Sequence, residues 1–233
     1  PTGALSLVRS DPLTQGPRLF AQHCASCHAH VDPSGEGVEQ VFAKSSAANL
    51  FEFGGESWVR GLLDPKQVAS AAYFGNTAHS EGDMVSFVSE DFMDKDVWNQ
   101  ADKEAVVFAL VEEAGLLTGT ESKNLVKRGR ELIADTDRCG SCHPYRENET
   151  ELGYAPDLNR WGSMEWVVGI ITDPTHQRFY PDTNDRMPRF GVASEGGLPA
   201  LTREQIELVS RWLRGSWYQP KGTDKAKGAA DHP

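Results

Sequence analysis

Cys24-Ala25-Ser26-Cys27-His28 and Cys139-Gly140-Ser141-Cys142-His143 contain all four cysteines of the chain and set a histidine directly behind each pair. C-x-x-C-H is the pattern of covalent c-type haem attachment. Each thiol of a pair can add to one vinyl group of a haem, and the adjoining imidazole is then placed to bind the iron from the proximal side. Two complete copies predict two haems, attached through Cys24, Cys27, Cys139 and Cys142, with His28 and His143 as proximal ligands. Paired cysteines at a structural zinc site usually lie about 15–20 residues apart. Cys27 and Cys139 are 112 positions apart, and zinc gives no reason for a histidine after both pairs. A redox dithiol belongs on a thioredoxin-like βαβ pattern, which this sequence does not carry. Disulfides between cysteines three positions apart would be unusual.

The segments that follow the two motifs repeat each other. Ala48-Asn49-Leu50, Phe53-Gly54-Gly55-Glu56-Ser57-Trp58 and Asp64-Pro65 in the first half answer to Pro156-Asp157-Leu158, Trp161-Gly162-Ser163-Met164-Glu165-Trp166 and Asp173-Pro174 in the second. The tryptophan and glycine positions keep a constant offset of 108. A repeat of this length is a duplicated domain and not a short-period solenoid.

Helices are expected at matching places in the two halves. Pro17 to Gln22 reads as a helix start before Cys24, with Thr14 as a nearby cap. Ser122 to Ile133 sets Leu125, Gly129, Leu132 and Ile133 at helical spacing before Cys139. Asp102 to Ala114, with Val106, Phe108, Ala109 and Leu110, closes the first half. Thr202-Arg203-Glu204-Gln205 fits a capping box that opens a closing helix with Ile206, Leu208, Val209, Trp212 and Leu213 on one apolar face. The intervening stretches are rich in Gly, Pro, Asn and Asp. An all-α protein follows, with domains at 1–118 and 119–220 meeting in Leu117-Thr118-Gly119-Thr120, and a polar, disordered tail at 221–233.

The length of 233 residues suits two modest domains, and a hydrophobic content of 39% is low unless large apolar cofactors supply part of each core. The net charge of −11 is concentrated in residues 1–119, which hold 7 Lys and Arg against 17 Asp and Glu. This balance argues against nucleic acid as a partner. It suits a soluble acidic surface, or one that steers toward a basic electron carrier. The longest apolar run, Ala105 to Val111, is seven residues, against about 20 needed to span a bilayer. Because covalent haem attachment occurs outside the cytoplasm, a periplasmic or extracytoplasmic location is expected. The sequence is then that of a processed chain or of a portion of a longer, membrane-anchored one.

Taken together, the two motifs and the repeat resemble the class I cytochrome c family, twice over and across nearly the whole chain. The resemblance implies two consecutive class I cytochrome c-like domains, each wrapped around one covalent haem. In that family the opening and closing helices cross near the haem, and a methionine from a later loop supplies the second axial ligand. It gives Pro156 a role, since a proline carbonyl at this place accepts a hydrogen bond from the proximal histidine, here His143; Ala48 stands at the aligned position. Trp58 and Trp166 match a family tryptophan whose ring packs on the haem and whose N–H can reach a propionate. The alternative is a core tryptophan with any convenient acceptor.

More narrowly, the Trp161–Trp166 segment, Arg178-Phe179-Tyr180 and Asn184-Asp185-Arg186-Met187-Pro188 look like dihaem cytochrome c domains of bacterial quinol-oxidising cytochrome bc complexes. That likeness implies redox protein partners: cytochrome b and iron–sulfur subunits, and a downstream carrier or oxidase. Any membrane contact would come through an anchor or a partner subunit.

For the second haem, Met187 is the expected distal ligand, 44 residues past His143 and followed by Pro188 as in the family, with Met164 and His176 as the other candidates. For the first haem the expected ligand is Met84, 56 residues past His28, although Val85 replaces the following proline. Met93 and His79 are its alternatives. The function expected is one-electron transfer without catalysis. A dihaem peroxidase or thiosulfate-oxidising enzyme, with His79 and Glu81 as acid–base groups at an open iron, is the competing reading, and a gas or redox sensor the third. His23 and His30 are expected to be non-ligating. Arg178, Arg186 and Arg189 either pair with haem propionates, Asp182 or Asp185, or form a basic rim around a haem edge.

Overall fold

The computed structural model describes residues 3–118, 123–193 and 196–216. Among these residues the regular structure is entirely helical. In chain order the α-helices are α1 (Ala4–Arg9), α2 (Pro12–His23), α3 (Val38–Phe42), α4 (Glu56–Leu62), α5 (Asp83–Ser89), α6 (Gln100–Glu113), α7 (Lys123–Ala134), α8 (Met164–Thr172) and α9 (Arg203–Leu213). None is long and apolar enough to cross a membrane. Residues 119–122, with part of the expected domain junction, and the tail at 221–233 lie outside the described residues.

Local chemistry sets the helix ends. α2 begins five residues before the expected Pro17, because Asp11 caps it by accepting from the N–H groups of Leu13 (3.4 Å) and Thr14 (3.0 Å), with Pro12 at the first helical position. Thr14 is therefore inside the helix and is not its cap. Pro17 is also inside, where it removes one backbone bond. Asn99 caps α6 through the N–H of Asp102 at 2.9 Å, two residues ahead of the expected start. The capping box at α9 is present: Gln205 N–H donates to Thr202 Oγ1 and Thr202 N–H to Gln205 Oε1. α1 has no buried residue, and no periodicity in the sequence marks it.

The helices do not pair as the family resemblance implies. The opening helix α2 packs on α9, the closing helix of the other half, and α6, which closes the first half, packs on α7, which opens the second. Among the described residues, α2 and α6 make no contact within 8 Å between Cα atoms. Each closing helix also touches the tryptophan-bearing helix of its own half, α6 on α4 and α9 on α8. The closing helices thus lie between the halves and bind them together.

A glycine makes each crossing close. A Cβ on Gly16 of α2 would lie 2.2 Å from Trp212 Cβ of α9, and one on Gly129 of α7 would lie 1.9 Å from the Ala105 carbonyl oxygen of α6. Glycine costs a helix about 1 kcal/mol relative to alanine, so the crossing must return more than that. Gly129→Ala gains helix propensity but drives a methyl into backbone. It is expected to destabilise by about 1–3 kcal/mol, read as a lower urea midpoint at unchanged slope.

The same interface carries a buried carboxylate. Asp102 is buried and accepts from Arg128 of α7 through Nε (2.7 Å) and Nη2 (3.0 Å) and from Asn99 Nδ2 (3.2 Å). The Arg128 hydrogen bond, against the opposing effect of burial, holds its pKa below the ordinary carboxylate value. A group whose folded pKa is depressed adds stability above its unfolded pKa, near 4, and loses it as the pH falls through the folded value. Asp102→Asn is therefore expected to flatten the loss of stability below about pH 4, measured as melting temperature against pH.

Where the halves meet, equivalent aromatic residues face one another. Phe53 and Trp161, 108 positions apart, have ring centroids 5.4 Å apart; Phe53 also lies 6.2 Å from Trp166, and Trp161 lies 5.9 Å from Trp58. Gly54 and Gly162 approach closely beside these rings, and Arg214 donates to Gly162 O (2.9 Å) and to Ala114 O. The ring and glycine contacts follow the offset of the sequence repeat, while the Arg214 bonds are made from one side alone.

Candidate haem sites

Each C-x-x-C-H segment forms one helical turn. In the first, the N–H groups of Cys27 and His28 donate to Cys24 O at 3.0 and 2.9 Å; in the second, those of Cys142 and His143 donate to Cys139 O at 3.3 and 3.0 Å. Positions i, i+3 and i+4 share one face of such a turn. This spacing lets two thiols and one imidazole address a single planar ligand.

A carbonyl held by a loop orients each histidine. His28 Nδ1 donates to Ala48 O at 2.8 Å and His143 Nδ1 donates to Pro156 O at 2.8 Å. A carbonyl oxygen can only accept, so Nδ1 carries the hydrogen and Nε2 keeps its lone pair. Burial lowers both histidine pKa values, against the raising effect of the backbone bond, and so favours the neutral imidazole that a metal requires. The loops are held alike. Leu50 N–H donates to Ala29 O (2.9 Å) and Leu158 N–H to Pro144 O (3.0 Å); Asn49 N–H donates to Ala72 O and Asp157 N–H to Arg178 O, both at 2.9 Å.

The residues present fit a covalently bound haem better than the rival uses. All four thiols are free. Burial pushes Cys24 up to about 11, with a smaller contribution from Cys27, and pushes Cys139 up to about 12. Reactive dithiols need the opposite shift. Among the described residues no group of three or more His, Cys, Asp or Glu side chains could hold a metal ion, so the two cysteine pairs do not combine into a zinc site.

Trp58 and Trp166 take equivalent backbone acceptors in the two halves. Trp58 Nε1 donates to Asn49 O at 2.7 Å and Trp166 Nε1 to Asp157 O at 3.1 Å, with both side chains buried. Their N–H groups are thus satisfied by backbone, as for a core tryptophan with a convenient acceptor. Each tryptophan ties α4 or α8 to the loop that supplies the histidine's acceptor.

Met93 stands apart from Met84, Met164 and Met187, which all pack against the core. Met84, in the first turn of α5, and Met187, in the loop after α8, are half-buried and pack against the core; Asn184 Nδ2 donates to Met187 O at 3.0 Å. Met93 is 40% exposed and its sulfur lies 3.6 Å from Lys103 Nζ. Met164 is half-buried at the first position of α8. His79 stacks on Tyr180 with centroids 6.0 Å apart, and His176 is exposed. The loops before Met84 and Met187 meet: Ala78 N–H donates to Asp185 Oδ2 at 3.2 Å. Tyr154 O–H of the second half donates to Asp83, next to Met84.

The three arginines pair with carboxylates, though not with Asp182. Arg178 donates to Asp157 (2.9 Å), Arg186 to Asp185 (3.0 Å), and Arg189 to Asp173 through two nitrogens at 3.1 and 2.9 Å. His23 sits edge-on to Phe190 with centroids 6.1 Å apart. Sequence reading missed two contacts just beyond the proximal histidines. His30 stacks on Trp212 of α9, centroids 3.8 Å apart at 22°, and Tyr145 O–H donates to Glu113 of α6 at 2.7 Å. Both lie two residues after a C-x-x-C-H histidine, and that shared register was the available signal.

Of the comparisons with known proteins, one bears on the first of these segments. No curated protein and no solved structure matched the chain. The family described as cytochrome C oxidase, cbb3-type, subunit III matches residues 11–102, from the cap of α2 to the first turn of α6. That match supports a class I c-type cytochrome domain over these residues, and with it covalent haem, iron and electron transport.

Proposed function

We propose that the chain is a dihaem electron carrier, with one c-type haem in each of two halves, 1–118 and 119–220. The carrying observation is the duplicated histidine geometry: in both C-x-x-C-H turns Nδ1 donates to a loop carbonyl at 2.8 Å. In this reading Cys24 and Cys27 hold one haem and Cys139 and Cys142 the other. His28 and Met84 are the axial ligands of the first; His143 and Met187 are those of the second. The bound iron would supply one-electron exchange between ferric and ferrous states. The chain's part is to fix the imidazole tautomer through Ala48 and Pro156, to seat both thioethers, and to keep water from the ligands with the buried residues of α4 and α8.

We place this carrier outside the cytoplasm, in or beside a quinol-oxidising bc-type chain, receiving electrons through an iron–sulfur protein. The family match, whose description names an oxidase subunit, favours a second placement on the oxidase side. Mass spectrometry of the holoprotein is expected to show two covalent haems, and a redox titration two six-coordinate centres with methionine-linked absorption. A high-spin centre that binds carbon monoxide or turns over peroxide would overturn the carrier reading. Rapid mixing with a quinol-reduced bc complex, and separately with a terminal oxidase, separates the two placements.

A further inference from the structure

We propose that each proximal haem loop is clamped by the closing helix of the opposite half, so that α9 positions the first haem through Trp212 and α6 positions the second through Glu113. The inference rests on the dihaem reading. Trp212 is built into the first half's site. It receives Gly16 at the α2 crossing, lies 5.4 Å from the Phe20 ring, and stacks on His30 at 3.8 Å. The end of α9 also reaches that half through Leu213 O, which accepts from Phe53 N–H at 3.2 Å.

The contacts of Glu113 mirror these from the other side. Its carboxylate accepts from Tyr145 O–H (2.7 Å), Arg130 Nε (3.2 Å), Arg146 Nη2 (3.3 Å) and Arg160 N–H (3.0 Å), all in the second half. His30 and Tyr145 stand at the same position after their ligand histidines, and Trp212 and Glu113 at the ends of their helices. One register is used twice with different chemistry, aromatic stacking in one copy and a buried carboxylate in the other. Trp212 and Glu113 are positioning residues, acting on His28 and His143 through the loop. The consequence is that neither haem environment is specified by its own half alone.

The test uses the full two-haem chain. Trp212→Ala is expected to speed amide exchange about tenfold or more over residues 20–50, to leave residues 139–160 unchanged, and to shift only one reduction potential. That potential is assigned by comparison with full-length chains lacking one attachment pair (Cys24→Ser with Cys27→Ser, or Cys139→Ser with Cys142→Ser). Glu113→Ala is expected to act reciprocally, on residues 139–160 and the other potential. Trp212→Phe, which keeps a ring for His30 and Phe20, guards against gross unfolding and is expected to give a smaller shift at the same haem. If Trp212→Ala perturbs only the second half, or both halves equally, the clamp is wrong. Absence of covalent haem by mass would instead sink the dihaem reading, while the exchange pattern would still report which half each closing helix serves.

Discussion

Replacing Met187 with alanine is expected to remove the methionine-linked absorption of one haem and to lower its reduction potential by about 0.1 V or more, within the ~0.8 V over which axial ligands tune haem iron. A thioether opposite imidazole favours the ferrous state, so its loss favours the ferric state. Met187 is suited to this role by its setting: half-buried against the core, its carbonyl held by Asn184 at 3.0 Å, with Pro188 restricting the backbone that follows. Met84→Ala is expected to act on the other haem. Met93→Ala should move neither potential, because Met93 is exposed and its sulfur lies beside Lys103. Spectroelectrochemical titration of the three holoprotein variants checks all three outcomes. Unchanged potentials and spectrum in Met187→Ala would remove Met187 from its proposed place.

The helical fold and the histidine geometry were legible because local rules govern them. Thr202 and Gln205 form a capping box wherever a helix starts on that pattern, and the offset of 108 carried the Trp58 loop onto the Trp166 loop with its hydrogen bonds intact. What the sequence could not give is which closing helix meets which opening helix. Gly16 and Gly129 announce close crossings, but a glycine does not name its partner. Both α6 and α9 carry apolar residues that α2 or α7 could cover, and periodicity does not name the partner. The choice rests on non-local contacts such as Arg128 with Asp102 and Phe20 with Trp212. The acceptors of the tryptophan N–H groups were open between two readings for a related reason. An indole donor takes the nearest carbonyl, and only the folded loop sets Asn49 O and Asp157 O within reach.

The stability of that exchanged arrangement should depend strongly on Glu113, whose side chain is only 8% exposed. Glu113→Ala is expected to cost about 3 kcal/mol, a loss of roughly 6–12 °C in melting temperature for a chain of this size. The estimate follows from what is stranded. Tyr145 is 1% exposed, so its hydroxyl would lose its acceptor in a place water does not readily enter. Arg160 N–H would lose its bond at 3.0 Å as well. Arg130 and Arg146 have side chains 35% and 46% exposed and can rehydrate, which keeps the cost below that of a fully buried broken ion pair. Glu113→Gln separates shape from charge. Its amide oxygen can still accept from Tyr145, but its amide nitrogen then faces Arg160 N–H, so that bond and the charge-assisted part of the bonds to the arginines are lost, about 1.5 kcal/mol. Melting curves of the two holoprotein variants should therefore differ about twofold in their shifts. Equal shifts would mean that the carboxylate's charge, and not its hold on Tyr145, keeps α6 against the second half.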